Sequence, residues 1–114
     1  MSIKVVHTSI TLNELKKIGE VFYDGMIKGV VDVKKEAVAF GGEYHMDANL
    51  FLLNEGSIQN DVWGFNIYFD KPKNSWIEYV SLINVRPALG SYDMEIKDNK
   101  LRERMKEIIN AKIK

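Results

Sequence analysis

The stretch VWGFNIYF, Val62 to Phe69, alternates without a break. Trp63, Phe65, Ile67 and Phe69 fall on one side, and Val62, Gly64, Asn66 and Tyr68 on the other. An extended strand, with its two-residue repeat, turns such a pattern into two chemically different faces, whereas a helix would scatter the four large apolar side chains around its circumference. The chain must therefore supply a sheet with one strongly apolar side, and other elements to cover it.

Those elements can be read on either side of this stretch. IKVVH (Ile3 to His7) has the composition of a short strand. Thr11 and Glu14 stand at capping-box spacing ahead of a helix carrying Leu12, Leu15, Ile18 and Phe22, which Asp24-Gly25 would end. MIKGVVDV and EAVAFGG flank Lys34-Lys35 as a hairpin does. Asp47 is placed to cap a second helix over ANLFLLNE, stopped by Gly56. WIEYVSLINV (Trp76 to Val85) alternates again, with Ile77, Tyr79, Ile83 and Val85 on one side, and Pro87 and Gly90 mark a turn. A last helix starts at Asp98 and carries Leu101, Met105, Ile108, Ile109 and Ile113. The order β-α-β-β-α-β-β-α predicts a single α+β domain over residues 1–114, with a largely antiparallel sheet and two to three packed helices; its first six elements suit a ferredoxin-like core.

Strand parity then sorts the polar residues. Val38, Phe40 and Tyr44 share one side of their strand, and Ala37, Ala39, Gly41, Glu43 and His45 the other. If the apolar sides make one core, Glu43, His45, Asn66, Tyr68, Glu78, Asn84 and Arg86 converge on the second face, over a floor lowered by small residues. A bulge at Gly41-Gly42 would flip Glu43 and His45 away. Trp76, Val80 and Leu82 fall on the same second face, so a helix or a partner subunit has to cover part of it.

The densest concentration of chemistry is GGEYHMDA, Gly41 to Ala48. Glu43, His45 and Asp47 offer oxygen and imidazole ligands to a divalent metal, although Asp47 already serves as a helix cap and a lone histidine beside carboxylates is most often a surface ion pair. As an acid–base set, His45 would move a proton with Glu43 or Asp47 orienting it, Arg86 would stabilise negative charge, and Asn66, Asn84 and Tyr68 would hold a ligand. The plainer reading of Arg86 is a structural arginine pairing with a carboxylate of the middle segment. No serine lies in a nucleophile elbow, and no phosphate-binding or dinucleotide glycine loop is present.

Charge and composition narrow the function classes. Sixteen basic residues balance sixteen acidic ones, which disfavours specific nucleic-acid binding. The balance is uneven along the chain: Glu36 to Asp70 holds six carboxylates and no lysine or arginine, while Lys97 to Lys114 holds seven basic residues against three acidic. These segments are expected to meet, within one chain or across two, and the uneven charge together with Trp76, Val80 and Leu82 on the second face favours a homodimer. The chain has no cysteine, which excludes disulfides, thiolate nucleophiles and cysteine-bound zinc. MSIKVVHTSI is too broken by charge for a signal peptide and no run approaches a membrane span, so a cytoplasmic protein is expected. Taken together, the residues point to a binding module for a small polar ligand or a protein partner, needing no cofactor. The alternative is a small metal-dependent or histidine-based enzyme acting on a small anionic substrate.

Several strings together, GGEYHMDA, LLNEGSIQNDVWGFNIYF and WIEYVSLINVRP, resemble a family of small bacterial and archaeal proteins known only as a domain of unknown function. The specific elements are Gly56-Ser57-x-Gln59, Trp63-Gly64-x-Asn66 and Ile83-Asn84-x-Arg86-Pro87. The resemblance implies no activity, cofactor or catalytic residue. The family loop after the Arg-Pro pair usually looks like Gly-Asn-Arg-Ser; here it reads Gly90-Ser91-Tyr92-Asp93, without the arginine an anion site on that loop would use.

Overall fold

A computed structural model describes residues 3–114. The elements are β1 (Ile3–Val6), α1 (Leu12–Gly19), β2 (Met26–Asp32), β3 (Ala37–Gly41), α2 (His45–Asn54), β4 (Val62–Tyr68), β5 (Ile77–Glu78) and α3 (Asn99–Lys112), with short 3-10 turns at Gln59–Asp61, Leu82–Asn84 and Pro87–Leu89. The five strands form one antiparallel sheet in the order β1-β3-β2-β4-β5. The α+β class and the element order are those of the sequence. The connectivity is not ferredoxin-like: β1 pairs antiparallel with β3, whereas a split βαβ core pairs strands in parallel.

Parity on the central strands holds. Ile27, Val31, Val38, Phe40, Trp63, Phe65 and Ile67 all belong to the larger core, which α1 and α3 cover through Leu15, Met105, Ile108 and Ile109. Val30, Ala37, Ala39 and Val62 point the other way and meet Ala48 and Leu52 of α2. The helix that must cover the second face is therefore α2, and the alanines of β3 let it approach closely. Trp76 is a correction to the sequence reading: it lies in the larger core, and its indole N–H donates to Asn110 Oδ1 at 3.0 Å.

Capping follows ordinary chemistry. Thr11 accepts from the Glu14 amide at 3.1 Å, and Asp98 accepts from the Lys100 and Leu101 amides at 3.0 and 3.2 Å. Helix α1 stops earlier than Asp24-Gly25, at Gly19. Arg104 of the basic helix reaches Glu36 at 3.0 Å, so the acidic and basic segments meet within the chain at this pair. No helix among the described residues is long and apolar enough to cross a membrane.

Candidate functional site

The segment after β3 departs from the expected geometry. Gly41 and Gly42 both adopt positive φ, 110° and 91°, a region glycine enters without strain. Gly41 closes β3 opposite Ile3 of β1, and Gly42 then turns the chain off the sheet toward α2. The helix begins two residues ahead of Asp47, with Tyr44 as N-cap and His45 as its first residue. Asp47 acts from inside the first turn, where Oδ2 accepts from the Tyr44 amide at 3.0 Å. Glu43 is exposed on the connecting turn, so Glu43 and His45 do not share a strand face.

His45 is carried onto the second face from above. It is 8 % exposed, and Nε2 lies 2.8 Å from the Phe65 carbonyl oxygen of β4. A carbonyl only accepts, so Nε2 carries the proton. Burial holds the imidazole pKa down at about 4; the Phe65 carbonyl opposes this, Lys28 adds to it, and Asn66 and Glu78 oppose it more weakly. The ring is therefore neutral at physiological pH.

Beneath the ring, the sheet register places Lys28 of β2, Asn66 of β4 and Glu78 of β5 in one transverse row. Asn66 Nδ2 donates to Glu78 Oε1 at 2.9 Å and to the Val80 carbonyl at 3.3 Å. Both partners are acceptors, which fixes the orientation of the amide. Asn66 Oδ1 meets no donor in hydrogen-bonding geometry, although the His45 ring lies near enough for the Asn66 side chain to raise its pKa; no other buried side-chain nitrogen or oxygen among the described residues lacks a partner. Tyr68 Oη also donates to Glu78 Oε1, at 3.0 Å. Burial lowers the Lys28 pKa, with Glu78 opposing.

His45 and Asn66 line a groove of about 490 Å³. Its walls are Met46 on α2, Val80, Leu82 and Ile83 on the segment after β5, and Met94, with Lys28 at one side. Leu82 is 73 % exposed, and Tyr44, Met46 and Met94 are exposed as well. The site is thus a mainly apolar trough with a few polar groups, His45, Asn66, Ser81 and Lys28, not the polar surface that parity alone suggested.

Arg86 and Asn84 are placed elsewhere and are engaged mainly by backbone partners. The Arg86 guanidinium donates through Nε to Ile83 O at 2.9 Å, and through its two terminal nitrogens to Gln59 O at 2.7 Å and to Val62 O. It also stacks 4.1 Å from the Trp63 ring centroid. Burial pushes its pKa down, and backbone carbonyls rather than the expected carboxylate receive its charge. Asn84, wholly buried, spends its amide on Gly64 and Met94. Neither Arg86 nor Glu43 lines the groove, so Glu43, His45 and Arg86 do not form one cluster. Nor do Glu43, His45 and Asp47 assemble for a metal: among the described residues no group of three or more histidine, aspartate or glutamate side chains has metal-binding geometry.

A family profile described as "Protein of unknown function (DUF5674)" matches residues 4–112. The chain belongs to this family. Searches of curated proteins and of solved structures gave no match.

Within this DUF5674 chain, several of the resemblance-bearing residues form buried polar joints. Ser57 Oγ donates at 2.6 Å to the buried Asp32 carboxylate, which also accepts from the Lys34 and Lys35 amides. Gln59 and Asn49 exchange two amide hydrogen bonds, at 2.9 and 3.0 Å. Sequence reasoning passed over Asp32, Asn49, Lys28 and Met94. Lys28 and Asp32 carried a signal, since strand parity puts both on the face of Asn66.

Proposed function

We propose that this chain is a binding module whose groove over Asn66 takes a small amphiphilic ligand: an apolar body with a single N–H or O–H donor. The observation that carries this reading is the unpartnered Asn66 Oδ1. A buried acceptor left unpaired costs about 1–3 kcal/mol, and native proteins rarely keep one without a reason. Here it belongs to a residue lining a groove with exposed apolar walls, the combination of burial and sparse polarity typical of small-molecule sites. A donor on the ligand would complete the amide, and Met46, Leu82 and Met94 would cover the rest of the molecule.

An acid–base role for His45 draws less support. A neutral ring already donating to Phe65 O has no carboxylate to orient it, and a pKa of about 4 makes it a weak base.

The test compares indole with 1-methylindole, which has nearly the same shape but no N–H donor, by NMR titration of the wild-type protein and of Asn66→Ala. Indole is expected to bind roughly tenfold more tightly than its methylated analogue, and the preference should vanish in Asn66→Ala. Equal affinity for the two probes in the wild type, or binding of neither, would contradict the reading.

A further inference from the structure

The outer side of α2 presents a second, separate surface. Ala48 and Leu52 pack the helix onto the sheet, yet Met46 and Leu50, one turn apart on the opposite side, are large, apolar and exposed. A helix that is apolar on both sides normally has something packed against each. Beside Leu50 lies a groove of about 410 Å³ floored by Ile3, Phe22, Leu50 and Phe51 and edged by Glu43 and Asp47. It shares no lining residue with the groove over Asn66. No cationic side chain lines it, and the Glu43 carboxylate has no ion-pair or hydrogen-bond partner among the described residues.

We infer that this groove docks a cationic amphipathic helix of a protein partner, with apolar side chains laid along Ile3, Leu50 and Phe22, and a lysine or arginine meeting Glu43. Charge selects this occupant over a second copy of the chain. The segment from Glu36 to Asp70 contains no lysine or arginine, so two α2 helices packed about a two-fold axis would bring carboxylates to carboxylates. The basic helix α3 of another copy carries no large exposed apolar residue to fill the groove. A foreign helix with apolar and basic faces satisfies both the uncovered leucine and the unpaired glutamate, the helix-in-groove mode of recognition.

The probe is a synthetic amphipathic helix of leucine and lysine, with a leucine–glutamate peptide of the same pattern as its control, followed by fluorescence anisotropy at low and physiological salt. Leu50→Ser and Glu43→Lys both change exposed side chains and leave the buried side of α2 intact. The lysine peptide is expected to bind, losing about tenfold in affinity with Leu50→Ser and severalfold with Glu43→Lys, and weakening as salt rises. The glutamate peptide should not bind. Binding of the lysine peptide unaffected by either variant, or no binding, would overturn the inference. So would sedimentation showing a dimer of the wild type that Leu50→Ser dissociates, because the face would then belong to a second copy.

Discussion

Asn84 holds Gly64 as a neighbouring strand would. The Gly64 amide donates to Asn84 Oδ1 at 2.8 Å, and Asn84 Nδ2 returns a bond to the Gly64 carbonyl at 3.0 Å. One side chain thereby continues the ladder of β4 beyond the end of β5. The same Nδ2 reaches Met94 O at 3.2 Å, so Asn84 ties the segment forming one groove wall both to the sheet and to Met94.

Asn84→Ala leaves the Gly64 N–H and C=O unpaired in the interior and removes one of the two donors to Met94 O, which keeps the Ser81 amide, and should cost about 2–4 kcal/mol of stability. Asn84→Asp should be no milder, because an oxygen would then face two carbonyl oxygens. Urea unfolding of the two variants checks this, and a loss below about 1 kcal/mol for Asn84→Ala would contradict it.

Gly64→Ala should also destabilise. A Cβ at this position would stand 2.5 Å from Ser81 Cβ and 2.6 Å from Ser81 Oγ, so the wall segment would have to lift off β4. The expected cost is about 1–3 kcal/mol, with amide shift changes concentrated at Ser81 to Asn84.

Arg86 holds the wall from its other end through three carbonyls and the Trp63 ring. Lysine has the charge but not the planar fork, so Arg86→Lys should lose most of the hydrogen bonds and the stacking, at about 1.5–3 kcal/mol. Trp63 fluorescence should change with it. Full stability in Arg86→Lys would mean that charge alone suffices there.

The pH dependence of His45 has a definite sign. Its folded-state pKa of about 4 lies below the ordinary 6.5, so between those values the unfolded chain binds a proton that the folded chain does not. Stability therefore falls as pH drops from about 6.5 to about 4, by about 3 kcal/mol in all, and this contribution levels off below that window. His45→Gln keeps an N–H for Phe65 O and cannot titrate. Its unfolding free energy should vary less with pH across the window than that of the wild type; identical slopes would contradict the assignment.

Where the sequence was legible, the physics was local and periodic. On β3 and β4 each side chain alternates without exception, because both faces are buried against different partners. From Trp76 to Val85 the same apparent alternation misleads. The strand ends at Glu78, and Leu82–Asn84 forms a 3-10 turn that sends Ile83 to the α2 side of the sheet. Asp47 misled by one turn for a related reason: a carboxylate at N-cap and one at the third helical residue both satisfy free amides at a helix start. The groove itself was half legible. Parity placed Asn66 on the second face, but nothing in the sequence shows that Asn84 and Arg86, on the same nominal face, would be consumed by backbone partners. Nor does it reveal that Met94 returns beside Asn66 from fourteen residues beyond Val80.

The methionines report directly on whether a ligand binds in the groove over Asn66. Of the five methionines, Met46 and Met94 line this groove, while Met26 and the buried Met105 do not. In protein labelled with carbon-13 at the methionine methyls, saturating indole is expected to shift the Met46 and Met94 signals and to show contacts from its ring protons to both methyls. Met26 and Met105 should stay in place. Shifts at Met26 or Met105 with Met46 and Met94 unmoved, or no shift at any methyl, would contradict binding in this groove.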